Sequence, residues 1–167
     1  MNDFDDKHGD TAADRAMPVD PDGVETARPL HVQPAAIAAV ALGGLMGTGI
    51  RYGAESAFPF VSGSFPFTTL VINITGAFIL GMLLERLALS GPDSGWRRRI
   101  RLCIGTGVLG SYTTYSSFAL ETVELLRDHR AVAAALYLSI SLVIGTLAAG
   151  AGIVVAQRFG THTEATR

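Results

Sequence analysis

The run Gly110-Ser111-Tyr112-Thr113-Thr114-Tyr115-Ser116-Ser117-Phe118 sets a glycine, a string of hydroxyls and several aromatic rings in the middle of an apolar segment. Glycine and clustered hydroxyls weaken a helix, yet lipid requires every backbone polar group to be satisfied internally. Irregular backbone at that depth survives only where protein shields it or where it lines a polar cavity, so the run predicts a broken helix with an ion site. A break between Gly110 and Thr114 frees carbonyls for a hard cation such as sodium. The other reading is a glycine-kinked helix whose hydroxyls bond back to the preceding turn. Tyr115 and Phe118, at i and i+3, share a face whose electropositive ring edges suit an anion that has shed its water, although the same spacing also serves plain packing. Thr114, Ser117, Ser141 and Asn73 add donors along such a path without a fixed positive charge that would trap the ion.

Composition says what must position these groups. Of 167 residues, 49% are apolar, 19 are glycine and only 17% are charged, the pattern of a small polytopic membrane protein. The net charge of -2 averages an acidic tail with basic loops and gives no support for nucleic-acid binding. A single cysteine, Cys103, excludes an intrachain disulfide and a cysteine-rich metal site. There is no phosphate-binding glycine loop, no nucleophile with an evident base and no histidine pair at metal spacing, so an enzyme is not expected. The hydrophobic bodies of the first, second and fourth apolar stretches carry no acid, which disfavours a proton-coupled carrier with a mid-membrane carboxylate.

Residues 1–33 hold Asp3, Asp5, Asp6, Asp10, Asp14, Asp20, Asp22 and Glu25 with few large apolar side chains, and read as a disordered acidic tail. Residues 34–157 read as four transmembrane helices and residues 158–167 as a short polar tail. The first span starts at Pro34 and is expected to end near Arg51 or a little beyond; Gly43 and Gly47, on one face, predict a tight seam. Arg51 either snorkels or serves binding or assembly. The second span runs from about Phe67 to Leu89 and contains Asn73, whose amide needs a partner: an interhelical hydrogen bond or a permeating ion. The third runs from about Ile100 to Leu125, and the fourth from Ala131 to about Ala156, where Tyr137, Ser141 and Gly145 share a face. Lysine and arginine divide as Lys7, Arg15, Arg28, Arg86, Arg97, Arg98, Arg99, Arg101, Arg158 and Arg167 on the side of the termini against Arg51, Arg127 and Arg130 on the other. This bias predicts cytoplasmic termini in a multi-pass protein of the cell membrane.

From about residue 40 to 155 the chain resembles the bacterial Fluc (CrcB) fluoride channels. The resemblance is carried by Gly43-Gly44 with Gly47 and Arg51-Tyr52, Phe65-Pro66 with Thr69-Leu70, Asn73 and Gly76, Gly107 through Phe118 with Glu121, and Tyr137 with Ser141. It implies an antiparallel two-fold dimer of four-helix subunits, two fluoride pores and a central structural sodium ion that is not transported. Gly110 and Thr113 would give that sodium their backbone carbonyls. Asn73, Thr114, Tyr115, Ser117, Phe118, Tyr137 and Ser141 would line the fluoride path, Glu121 would sit on its polar track, and Arg51 would match the family arginine near the end of the first helix. The expected activity is passive export of fluoride that lowers its toxicity.

The chain departs from the family pattern at Ser111, where a glycine is usual, at Tyr115, where the first ring is a phenylalanine, at Ser117 in place of threonine, and at Gly145, where some members carry serine. The charge bias also differs from a subunit inserted in both orientations. It favours a fixed-orientation half that pairs with an oppositely oriented paralogue. The alternatives are a small multidrug-type transporter coupled to protons and a non-conducting partner subunit of a heteromeric channel.

Overall fold

The computed structural model describes residues 33–160, and all regular structure among them is helical. The acidic tail anticipated up to residue 33, Gln33 excepted, and the last seven residues of the chain lie outside the described residues. Helix α1 spans Pro34–Ala57, α2 Phe67–Leu89 and α6 Ala131–Gly160. All three are long and apolar enough to cross a membrane: at about 1.5 Å per residue, even about 20 residues cover a hydrocarbon core about 30 Å thick. Between α2 and α6 the chain climbs in pieces. Helix α3 (Gly95–Ile100) passes into a π-helical segment (Arg101–Leu109), then one short turn, α4 (Gly110–Tyr112), and after a break α5 (Tyr115–Arg127).

The sequence boundaries hold for α2 and shift elsewhere. Helix α1 runs past Arg51 to Ala57 and so carries Glu55 within it. The third element begins at Gly95 and ends at Arg127, wider at both ends than expected, and α6 continues through Arg158 to Gly160. The kink-only reading of the third span does not apply, because Thr113 (φ -73°, ψ 153°) and Thr114 (φ -143°, ψ 125°) are both extended. The π winding was not anticipated. Gly105, Gly107 and Gly110 follow one another closely there, and glycine lowers the cost of departing from α geometry.

Two glycine seams set the packing. α1 lies against the π segment so closely that a Cβ on Gly43 would collide with the Cys103 carbonyl, and one on Gly47 with the Val108 carbonyl. α2 packs along α6 in the same manner, with Gly81 against the Ala149 carbonyl and Gly152 against that of Phe78. Such contacts let backbones approach where no hydrophobic effect drives helices together, leaving dispersion to hold them.

Polar links tie the ends of the bundle. At one end Gln157 Nε2 donates to Glu85 Oε1 at 3.0 Å. At the other, Ser62 Oγ donates to Asp128 at 2.9 Å, and Arg130 donates to the carbonyls of Gly63 and Ser64. The turn before α3 is tied to the basic stretch that follows it through Asp93, whose carboxylate accepts from Arg101 Nη2 at 2.7 Å and Nε at 3.1 Å. That hydrogen-bonded guanidinium holds the Asp93 carboxyl below the usual carboxylate range.

Candidate functional site

The break is a two-residue extended link, and its backbone is satisfied from outside. Thr113 closes the preceding turn, its N–H and its hydroxyl both donating to the Leu109 carbonyl at 3.1 and 3.0 Å. Thr114 caps α5: its Oγ1 accepts the Ser117 N–H at 3.1 Å, the usual service of a threonine N-cap. In a continuous helix the Thr114 N–H would go to the carbonyl of Gly110. Here it donates to Asn73 Oδ1 at 2.8 Å, while Asn73 Nδ2 donates to the Thr114 carbonyl at 2.9 Å. Asn73 therefore acts as a two-way clamp between α2 and the break, the interhelical partner that its amide required.

A second outside donor comes from α1. Arg51 Nε donates to the Ser111 carbonyl at 3.1 Å, and its Nη1 lies 4.0 Å from Glu55 Oε1, the next turn of the same helix. Glu55 in turn lies 3.5 Å from Ser117 Oγ. Arg51 is thus a partner of the broken element rather than a side chain reaching only for headgroups. The contact uses the backbone carbonyl of Ser111 and not its side chain.

Beyond the break runs a line of rings. Tyr115 and Phe118 lie 6.0 Å apart at 43°, Phe118 and Tyr137 5.0 Å apart at 50°, and Tyr137 and Phe65 5.6 Å apart near edge-on at 79°. Tyr115 is 81% exposed, whereas Tyr137 is fully buried, so the line leads from the surface of the subunit into its core. Tyr115 and Phe118 share a wall with Asn73, Gly76 and Thr113 in an open groove of about 350 Å³. A side chain at Gly76 would strike Thr113, so glycine there lets the break lie directly on α2.

At the inner end of the line lies Glu121, 7% exposed. Its Oε1 accepts the Thr69 hydroxyl at 2.6 Å and its Oε2 accepts the Tyr137 hydroxyl at 2.7 Å. Both hydroxyls belong to buried residues on different helices, so the carboxylate joins α2, α5 and α6 at one point. Charged groups are tolerated at such a place when their oxygens are hydrogen-bonded. Ser141 Oγ, one turn after Tyr137, is buried with no hydrogen-bond partner among the described residues.

The structure brings Asn73, Thr113, Thr114, Tyr115, Ser117, Phe118, Glu121 and Tyr137 into one connected arrangement, with Arg51 at its margin. Gly110, just before the break, is exposed at the subunit surface, and a Cβ there would meet nothing closer than 3.9 Å. Sequence reasoning missed Thr69 and Glu55. Thr69 stands one turn before Asn73 and so on the same face of α2, a signal that could have found it. A first span that ends near Arg51 or a little beyond does not single out Glu55, and the continuation of α1 to Ala57 is what brings it to Ser117.

The family model described as CrcB-like protein, Camphor Resistance (CrcB), matches residues 38–153, which contain every element of the site. A protein of Leifsonia xyli subsp. xyli named fluoride-specific ion channel FluC 2 is 43% identical over 132 residues, covering 79% of this chain and 90% of the relative. One from Cutibacterium acnes named fluoride-specific ion channel FluC 1 is 43% identical over 120 residues, covering 72% and 84%, and one from Methylobacterium nodulans named fluoride-specific ion channel FluC is 37% identical over 121 residues, covering 72% and 95%. These relatives are named as ion channels, not as enzymes. With a family match from residue 38 in α1 to residue 153 in α6 and relatives covered over most of their length, the chain belongs to the CrcB family of fluoride-specific ion channels.

Proposed function

We propose that this chain is one subunit of a passive fluoride channel of the cell membrane, exporting fluoride down its gradient and so lowering its toxicity in the cytoplasm. The observation that carries this reading is the clamped break at Thr113 and Thr114 with a line of ring edges beside it. Fluoride that has shed water needs weak, non-trapping partners, and the edges of Phe118 and Tyr115 with nearby hydroxyls supply them. The whole element from Gly95 to Arg127 then crosses the bilayer as the third of four spans, with the break shielded by α1 and α2.

A second subunit completes the path. Tyr115, Leu120, Leu45 and Met46 are apolar or aromatic yet well exposed in the single subunit, and the groove beside Tyr115 is open, so an antiparallel partner has a surface to cover. The carbonyl of Gly110, whose helical donor is diverted to Asn73, and that of Thr113, turned aside by the extended backbone, fit the oxygen donors that a sodium ion prefers. Bound between two subunits, sodium would serve as a fixed charge holding the breaks together. Asn73 keeps one face of its amide at the path while clamping Thr114, and Ser141, with its hydroxyl unspent, adds a donor beyond Tyr137.

The described ends of the chain emerge beside the basic stretch Arg97–Arg101 at the start of the broken element, and the bias of positive charge toward that end supports cytoplasmic termini. The same bias supports pairing with an oppositely oriented paralogue rather than with a copy of this chain. Fluoride release from liposomes, followed with a fluoride-selective electrode, tests the reading. Rapid efflux that is indifferent to a proton gradient is expected when this chain is reconstituted with its oppositely oriented paralogue. Proton-driven transport would instead mark a carrier, and efflux from this chain alone, inserted in both orientations, would overturn the pairing with a paralogue while keeping the channel.

A further inference from the structure

At the end of the bundle where the described chain begins and ends, a cavity of about 520 Å³ opens between α1 and α3. Its α1 wall is small and apolar, formed by Ala35, Ala36 and Ala39, and its other side carries Arg98 and Arg99. Among the described residues no carboxylate lines it. The neighbouring guanidinium groups are already committed: Arg97 to the carbonyls of Ser90 and Pro92, and Arg101 to the Asp93 carboxylate. Arg98 gives Nε and Nη2 to the Asp93 carbonyl, with Asp93 Oδ2 3.9 Å from its Nε, and its Nη1 makes no hydrogen bond among the described residues. Arg99 is exposed and makes no hydrogen bond or ion pair among the described residues. Trp96, 56% exposed and with the Arg97 guanidinium 5.6 Å from its ring, is the kind of residue that marks the headgroup level.

We propose that this cavity is a binding site for an anionic phospholipid, its phosphate held by Arg98 and Arg99 and the start of its acyl chains lying on the alanine wall of α1. Guanidinium groups suit phosphate oxygens because their forked N–H groups match that geometry. A basic recess between membrane helices beside an apolar wall satisfies both halves of a lipid, which a free anion would not. The net positive lining selects an anionic headgroup over a zwitterionic one. The inference lies outside the pore: it concerns where the subunit sits in the bilayer, not what it conducts.

The test uses the full chain, purified and exposed to equal amounts of phosphatidylglycerol and phosphatidylcholine, with retained lipid counted by native mass spectrometry. Wild type is expected to keep phosphatidylglycerol in preference. The variant Arg98→Gln/Arg99→Gln is expected to lose that preference by about five-fold per arginine removed, while Arg127→Gln at the opposite end keeps it. Fluoride efflux of the double variant, expected to match wild type, shows that it has folded; should it fail to fold, Arg98→Lys/Arg99→Lys decides, retaining charge but binding more weakly than wild type. Equal retention of the two lipids by wild type, an undiminished preference in the arginine variants, or full displacement by millimolar inorganic phosphate overturns the proposal. Because lipid retention and fluoride efflux are separate readouts, failure of the channel reading is distinguishable from failure of this one.

Discussion

Asn73 and Thr114 exchange two hydrogen bonds across the helix break, amide N–H to side-chain oxygen at 2.8 Å and side-chain nitrogen to carbonyl at 2.9 Å. Each bond satisfies a backbone group that the interrupted helix leaves without its regular partner. Replacing Asn73 by alanine strands both, at about 1–3 kcal/mol for each buried unsatisfied group. Asn73→Ala should therefore melt markedly earlier in detergent and conduct fluoride at least about tenfold more slowly. Asn73→Asp keeps the acceptor and should fall between alanine and wild type in stability. A melting point unchanged by Asn73→Ala would remove the clamp from the account.

Glu121 separates charge from hydrogen bonding in a way that a pair of substitutions reads out. Glutamine still offers one acceptor and one donor to Thr69 and Tyr137, whose hydroxyls can serve in either role. Alanine leaves both hydroxyls buried and unpaired, with a cavity beside them. Glu121→Ala is expected to destabilise by about 2–5 kcal/mol in chemical denaturation and Glu121→Gln by about 1 kcal/mol. Equal losses in the two variants would show that the carboxylate is not what joins α2, α5 and α6.

The glycine seams predict a contrast within one helix. A Cβ at Gly47 would run into the Val108 carbonyl, whereas one at Gly49 meets nothing within 4 Å in the subunit. Gly47→Ala should cost about 1–3 kcal/mol through forced separation of α1 from the π segment. Gly49→Ala should be neutral or stabilising by up to about 1 kcal/mol in the subunit without its partner, since alanine favours helix. Both are measurable from thermal melts of the purified protein.

Tyr115 makes no hydrogen bond through its hydroxyl among the described residues, while its ring meets Phe118 at 6.0 Å. Tyr115→Phe should leave fluoride efflux within about twofold of wild type, because the electropositive ring edge is retained. Collapse of flux on losing that one oxygen would show that the hydroxyl itself serves the pore.

Asp93 gives a pH-dependent signal outside the membrane helices. Its carboxyl titrates below the usual value because the Arg101 guanidinium hydrogen-bonds to the charged form. A carboxyl depressed on folding stabilises the fold above its unfolded value, about 3.9, and loses that contribution as pH falls through its folded value. In an NMR titration Asp93 should have its midpoint below the ordinary carboxyl value, and Arg101→Gln should return it toward that value.

Much of this arrangement was legible from residue types. Apolar run lengths located the long helices, because a bilayer demands a near-fixed number of turns, and the glycine and hydroxyl run located the break. Gly43 with Gly47 foretold a seam, though not that the opposing backbone would be π-wound, since winding depends on the neighbour as much as on local sequence. The partners of polar groups were less accessible. Asn73 advertised a need for a partner without saying which, and the meeting of Thr69, Glu121 and Tyr137 depends on how α2, α5 and α6 are rotated against one another. No single-helix pattern encodes that rotation. The open groove beside Tyr115 likewise belongs to the assembled subunit and not to any one stretch of chain.

The clamp also bears on biosynthesis. A ribosome delivers this chain from its amino end, so Arg51 and Asn73 leave the tunnel before Ser111 and Thr114 do. When the interrupted segment arrives, the side chains that relieve its stranded peptide groups have already been made, on helices that precede it. The break need not wait for α6 to be synthesised. The order of elements along the chain thus lets the costliest piece of backbone enter lipid with its partners already at hand.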